Sequence, residues 1–79
     1  MFSQQLELGG GRTLEVKITP SGDSVTVSQQ IVVNGVRPQY RQCTVTCHST
    51  GKSYSWSCPD NKNCEGDCSD PNNPRGRCY

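Results

Sequence analysis

Residues 43–58 read CTVTCHSTGKSYSWSC, and the fold turns on how this stretch is interpreted. It holds three of the six cysteines, the one histidine, the one tryptophan and a Gly-Lys-Ser. Three chemistries compete for it: a phosphate loop, a metal clamp, or a β-hairpin awaiting disulfides. The phosphate loop needs G-x-x-x-x-G-K-[ST] between a strand and a helix. Gly51-Lys52-Ser53 matches the end of that signature, but Thr46 stands where its first glycine belongs. The following YSWSCPDN, with its aromatics, serines and proline, does not start a helix. The Gly-Lys-Ser is therefore expected to be a turn leaving a strand.

Zinc is the serious rival, because cysteine and His48 are its ligands and one tetrahedral site needs four. Cys43 and Cys47, however, flank a β-branched Thr-Val-Thr that favours extended backbone. Four extended steps place their Cα atoms ~13 Å apart, too far for two sulfurs on one metal. A zinc-stabilised intracellular module would have to draw on Cys58, Cys64, Cys68 and Cys78 instead. A thiol-redox protein working through Cys64 and Cys68 is a third possibility.

Read as a hairpin, the stretch turns at His-Ser-Thr-Gly with Cys47 opposite Lys52. Val45 then faces Tyr54 and Cys43 faces Trp56, so one face carries Cys43, Val45, Cys47, Tyr54, Trp56 and Cys58. Cys47 and Cys58 lie about six residues apart along such a ladder, beyond the ~4.4–6.8 Å Cα separation of a disulfide. The economical solution bonds Cys43, Cys47 and Cys58 to Cys64, Cys68 and Cys78, although six cysteines allow 15 connectivities. Loop length alone suggests Cys58 with Cys64 or Cys68.

Upstream, the pattern alternates. Leu14, Val16 and Ile18 mark one strand, and Val25, Val27, Ile31 and Val33 mark another. Pro-Ser-Gly-Asp between them has turn chemistry, and pairing Thr19 with Ser24 puts Val16, Ile18, Val25 and Val27 on one presumptive core face. Asn34-Gly35 between Val33 and Val36 is a strong hairpin signal. Continued register sets Cys43, Val45 and Cys47 on the opposite face, so an irregularity is expected near Pro38, where a bulge would return Val45 to the core side. Gly9-Gly10-Gly11 reads as a flexible lead-in or the tip of an N-terminal hairpin.

Downstream, residues 59–79 contain no Val, Leu, Ile or Phe, and three prolines with many Asn and Asp disfavour regular structure. Their order depends on Cys64, Cys68 and Cys78. The chain is thus expected to be one small all-β, disulfide-rich domain over 1–79. Residues 1–12 form a flexible lead-in or first short strand, 13–58 an antiparallel meander of about four strands, and 59–79 an irregular, cysteine-tied wrap. Seventy-nine residues with 18 apolar side chains beyond cysteine leave little margin for stability from core burial, so crosslinks fit.

Function is less constrained. A net charge of +1 argues against nucleic acid and against attack on anionic membranes, and no apolar run approaches a membrane span. The one histidine has no Asp or Glu placed beside it by any cue, so catalysis is not expected, and no cofactor is. Asp60, Asn61, Asn63, Glu65, Asp67 and Asp70 are oxygen-rich but lack EF-hand spacing. The expected function is a secreted or periplasmic binding module for a protein or glycan, with a toxin or inhibitor as a subtype of it, and with Tyr40, Arg41, Tyr54 and Trp56 as candidate contacts. The start, MFSQQLELGGGR, has no apolar signal region, so secretion requires that a signal was removed and that Met1 is not native.

Overall fold

The computed structural model describes residues 2–79; Met1 lies outside the described residues. Five antiparallel strands follow one another in chain order across a single sheet: β1 (Phe2–Gly9), β2 (Arg12–Ser21), β3 (Ser24–Val33), β4 (Tyr40–Cys47) and β5 (Ser53–Pro59). A second, two-stranded sheet joins β6 (Cys64–Asp67) and β7 (Arg75–Cys78). β2–β5 are the four strands expected of the meander, and β1 adds a first strand ahead of them. Residues 2–9 pair along β2, with Phe2 opposite Ile18 and Leu6 opposite Leu14. Their alternation is closed by a hairpin in which Gly9, Gly10 and Gly11 all take positive φ.

The turns explain the register. At Asn34-Gly35 both residues have positive φ, 51° and 77°, the geometry of a two-residue primed turn, and Val33 and Val36 exchange backbone hydrogen bonds across it. The β2–β3 turn is tighter than Pro-Ser-Gly-Asp implies. Ser21 pairs with Ser24 around Gly22-Asp23, and Pro20 pairs with Val25 inside the strand. Among the described residues β1 pairs with β2 only as far as Ile18, and none of them pairs with Pro20, a position of the kind at which proline is tolerated. The shift from the expected Thr19–Ser24 pair is two residues, so side-chain parity survives and Ile18 still faces the same way as Val27.

The irregularity at Pro38 is present, but it does not flip the strand. Between the Val33–Val36 bridge and the Gln29–Gln42 pair, β3 has three residues (30–32) and the returning chain five (37–41). An excess of two preserves parity. Cys43, Val45 and Cys47 therefore stay on the face opposite Val25 and Val27, paired with Ser28, Thr26 and Ser24. Val45 pairs with Tyr54 and Cys43 with Trp56, as the hairpin reading requires.

The tail closes on this cysteine face. Disulfides join Cys43–Cys64, Cys47–Cys68 and Cys58–Cys78, with Cα separations of 6.0, 5.8 and 5.6 Å. Every bond runs from the hairpin to the tail. Cys58 bonds to Cys78, however, not to Cys64 or Cys68 as loop length suggested, because β6 and β7 pair side by side with Cys64 opposite Cys78. The tail is also less irregular than its composition implies: its cysteines pin two four-residue strands whose Gly66 and Gly76 face each other. Among the described residues the buried apolar side chains are Cys43, Val45, Cys47, Cys58 and, in the tail, Pro74, and the buried polar ones are Ser24, Thr26, Ser28 and Gln30.

The valine face is thus not the core. The tail covers the face built from cysteine, serine and threonine, and the aliphatic face of β1–β3 carries no layer from this chain. Ile31 and Val33 are 48% and 46% exposed, and Leu6 is 44% exposed.

Candidate functional site

The four candidate contact residues do not converge. On β4 and β5, Tyr54 and Trp56 stack with ring centroids 5.7 Å apart on the cysteine face. Trp56 lies under the tail, its Nε1–H donating to the carbonyl of Arg77 at 3.2 Å, while Tyr54 remains open at its edge. Arg41 is on the same face, but its side chain is 11% exposed and its guanidinium donates to the Asp60 backbone carbonyl at 2.7 Å. Tyr40, 60% exposed, projects from the opposite face.

Arg41 belongs to a charge network that joins three parts of the chain. Arg37 holds the Glu15 carboxylate through two nitrogens, each at 2.8 Å, and reaches Asp60 at 3.8 Å. Partial burial works to raise the Glu15 pKa. Hydrogen bonds from Arg37, Gln5 and Gln30, with the Arg37 charge, outweigh that and hold the carboxyl below its ordinary value. A carboxyl depressed in the folded state adds stability that is complete above its unfolded pKa, about 4.3, and is lost as pH falls through the lower folded value. The stability gap between the wild type and Glu15→Gln is therefore expected to close as pH falls from neutral through and below the ordinary carboxylate range. Denaturant midpoints measured across that range check it, and a gap that widens on acidification would contradict the assignment.

The other motifs resolve into local structure. The His-Ser-Thr-Gly turn is exposed, with Gly51 at φ 72°. Asp23 accepts hydrogen bonds from the Ser49 N–H at 3.0 Å and hydroxyl at 2.6 Å, and the Thr50 hydroxyl donates to the Pro71 carbonyl at 2.6 Å. The Gly-Lys-Ser thus ends a turn fastened to its neighbours. Of the oxygen-rich residues, Asp67 binds Ser69 and Asp70 binds the N–H of Asn72, each stabilising its own turn.

Zinc is not favoured. All six cysteines are in disulfides, and the sulfurs of Cys43, Cys58 and Cys64, within 4.8 Å of one another, are two crosslinks lying side by side. Disulfide sulfur offers no thiolate to a metal. The proposed ligands Cys58, Cys64, Cys68 and Cys78 are divided among all three bonds, and Cys64 and Cys68 are bonded to different partners.

What remains is the uncovered sheet face. Its rows run across the strands: Leu6–Leu14–Ile31, then Gln4–Val16–Gln29–Gln42, then Ile18–Val27–Thr44, then Pro20–Val25–Thr46. Arg12, at the hairpin end, is the one charged residue that alternation places on this face. Comparison with protein families, with characterised proteins and with solved structures returned no match. Any functional reading of this chain therefore rests on its own surfaces. Alternation alone marks these valines as core and gives no sign that their face is open. The signal was available in the parity that sets Cys43, Val45 and Cys47 opposite Val25 and Val27, with no apolar segment left to cover the valines.

Proposed function

We propose that this chain is a non-catalytic interaction module of an oxidising compartment, secreted or periplasmic, and that it binds a protein through the open aliphatic face of β1–β3. The observation that carries the reading is that face itself: rows of Leu, Ile and Val left open on a sheet whose other side is closed by three disulfides. A sheet that is apolar on one side buries that side against another element. Three strands at ~4.8 Å spacing and about nine residues at ~3.4 Å give roughly 400 Å² in plan, a size at which an exposed patch marks an interaction site. Disulfides in a small domain fit an oxidising compartment.

A protein partner is favoured over a glycan. Tyr40 and Tyr54 project from opposite faces and Trp56 lies beneath Gly76, so these aromatics do not share one platform for a sugar ring. The exposed His48 sits in a turn, and no cysteine is free to act as a nucleophile among the described residues. Both favour a binding role over an enzymatic one.

Hydroxyl-radical labelling of dilute, monomeric protein tests the reading. Leu6, Ile31 and Val33 are expected to oxidise readily while Val45 stays protected. Protection of all four in the monomer would mean that the face is covered within the chain, and the reading would fall.

A further inference from the structure

Resting on that reading, we propose that the partner on the open face is a second copy of the same chain, the two sheets packing face to face as a two-fold sandwich.

Charge supports this first. The face carries aliphatic rows, an amide row of Gln4, Gln29 and Gln42, and the hydroxyls of Thr44 and Thr46. Carboxylates and ammonium groups repel their own kind across a two-fold axis. Amides and hydroxyls donate and accept at once, so they can pair with their own symmetry copies. Apart from Arg12 at the hairpin tip, the acidic and basic residues of β1–β3 (Glu7, Glu15 and Lys17) alternate onto the other face. A charged partner would find nothing complementary in the aliphatic and amide rows, while an identical face brings to them no charge but Arg12 at its hairpin end.

Area supports it second. Five strands at ~4.8 Å and about eight residues at ~3.4 Å offer roughly 650 Å² in plan, and a corrugated surface exposes more than its plan. Stable interfaces bury about 800 Å² per partner. Two sheets packed ~10 Å apart, with strands ~30° from alignment, bury both aliphatic faces in one layer. That layer supplies the conventional core that the single chain lacks, since three of its five buried apolar side chains are cysteines.

Sedimentation equilibrium from about 1 to 200 µM, combined with hydroxyl-radical labelling at each concentration, tests the proposal. A monomer–dimer equilibrium is expected, with Leu6, Ile31 and Val33 losing label as dimer forms. Raising salt about tenfold should leave the dissociation constant nearly unchanged, because no charge pairs are made. Ile31→Glu should raise that constant about a hundredfold or more by burying an unpaired charge. Gln29→Glu, nearly isosteric and exposed, should act in the same direction without disturbing packing. Lys17→Glu, on the other face, should leave association intact. Circular dichroism and an unchanged disulfide count establish that each variant is folded.

A chain that stays monomeric with the face labelled overturns self-association and leaves the interaction-surface reading standing. A dimer that keeps the face labelled, or survives both Ile31→Glu and Gln29→Glu, also overturns it, because the contact then lies elsewhere. A monomer with the face protected overturns both readings.

Discussion

Reduction of the three disulfides is expected to unfold this chain at neutral pH and room temperature, not merely to loosen its tail. The crosslinks span sequence separations of 21, 21 and 20 residues. Closing a loop of that length in the unfolded chain is worth about 3 kcal/mol per bond in the chain-entropy account. The intervals overlap, so the three contributions do not simply add. A single core in a domain of this size rarely supplies more than about 3–5 kcal/mol, and here the core and the crosslinks are the same residues: Cys43, Cys47 and Cys58 are fully buried. Once reduced, residues 59–79 have only Tyr79 and three prolines to hold them by apolar contact. Their departure exposes Val45 and uncovers Trp56. Far-UV circular dichroism and Trp56 fluorescence with and without reductant should show loss of sheet and a red-shifted emission. The single-bond variant Cys58→Ala/Cys78→Ala should remain folded at lower stability, by about 2–4 kcal/mol. A reduced chain that kept a cooperative denaturation transition would show that the five-stranded sheet stands without its cover. Peptide mapping of the oxidised protein should recover the pairs 43–64, 47–68 and 58–78.

How much of this was legible in the sequence depends on which interaction decides each feature. Local chemistry decides the turns, so Asn34-Gly35 and the Cys47–Lys52 hairpin could be read directly, and with them the pairing of Cys43 with Trp56. Reach excludes Cys43–Cys47 and Cys47–Cys58, so bonding each hairpin cysteine to the tail is the economical solution, although Cys43 and Cys58 lie close together on adjacent strands. Which tail cysteine each takes is set by the β6–β7 register, and that pairing rests on Glu65 opposite Arg77 and Gly66 opposite Gly76, a pattern with no apolar alternation to reveal it. The larger miss was the side on which the sheet closes. Ser24, Thr26 and Ser28 read as solvent-facing positions, and Val25 and Val27 as core. In this small domain the covering layer is backbone and disulfide, so it packs against small hydroxyl side chains, while the valines are left for another molecule. The candidate contacts failed to converge for a related reason: Arg41 and Trp56 were chosen by residue type, and both are used in attaching the tail.

Substitution of Gly66 by alanine is expected to be the most disruptive single change outside the cysteines. β6 crosses the sheet directly above Val45, and a Cβ at Gly66 would lie 2.5 Å from the Val45 Cβ and 2.7 Å from the Thr26 hydroxyl. Neither neighbour can yield. Val45 is fully buried at the centre of the sheet, and Thr26 is its direct partner on β3. The tail cannot lift either, because Cys64 and Cys68, two residues to each side, are bonded down to β4. Overpacking a core usually costs about 1–3 kcal/mol, and with both layers fixed Gly66→Ala should reach the upper part of that range or exceed it. Gly76→Ala meets the Trp56 ring instead. That ring is only half buried, unlike Val45, so a smaller loss is expected, accompanied by a shift in Trp56 emission as its bond to the Arg77 carbonyl is broken. The two layers can be tested against each other. Val45→Gly removes both the Cβ and the methyl groups that Gly66→Ala would strike, so the double variant should be more stable than the sum of the single losses predicts, with a coupling above about 1 kcal/mol. Strict additivity would mean that the two residues do not touch. A neutral Gly66→Ala would place β6 farther from the sheet than described here. On the open side of the same strands the expectation is reversed: under dilute conditions Ile31→Glu should change monomer stability by no more than about 1 kcal/mol, the span of strand preferences at an exposed site. The disulfide-covered face therefore has no room for one methyl group, while the face beyond it accepts a charge until a partner arrives.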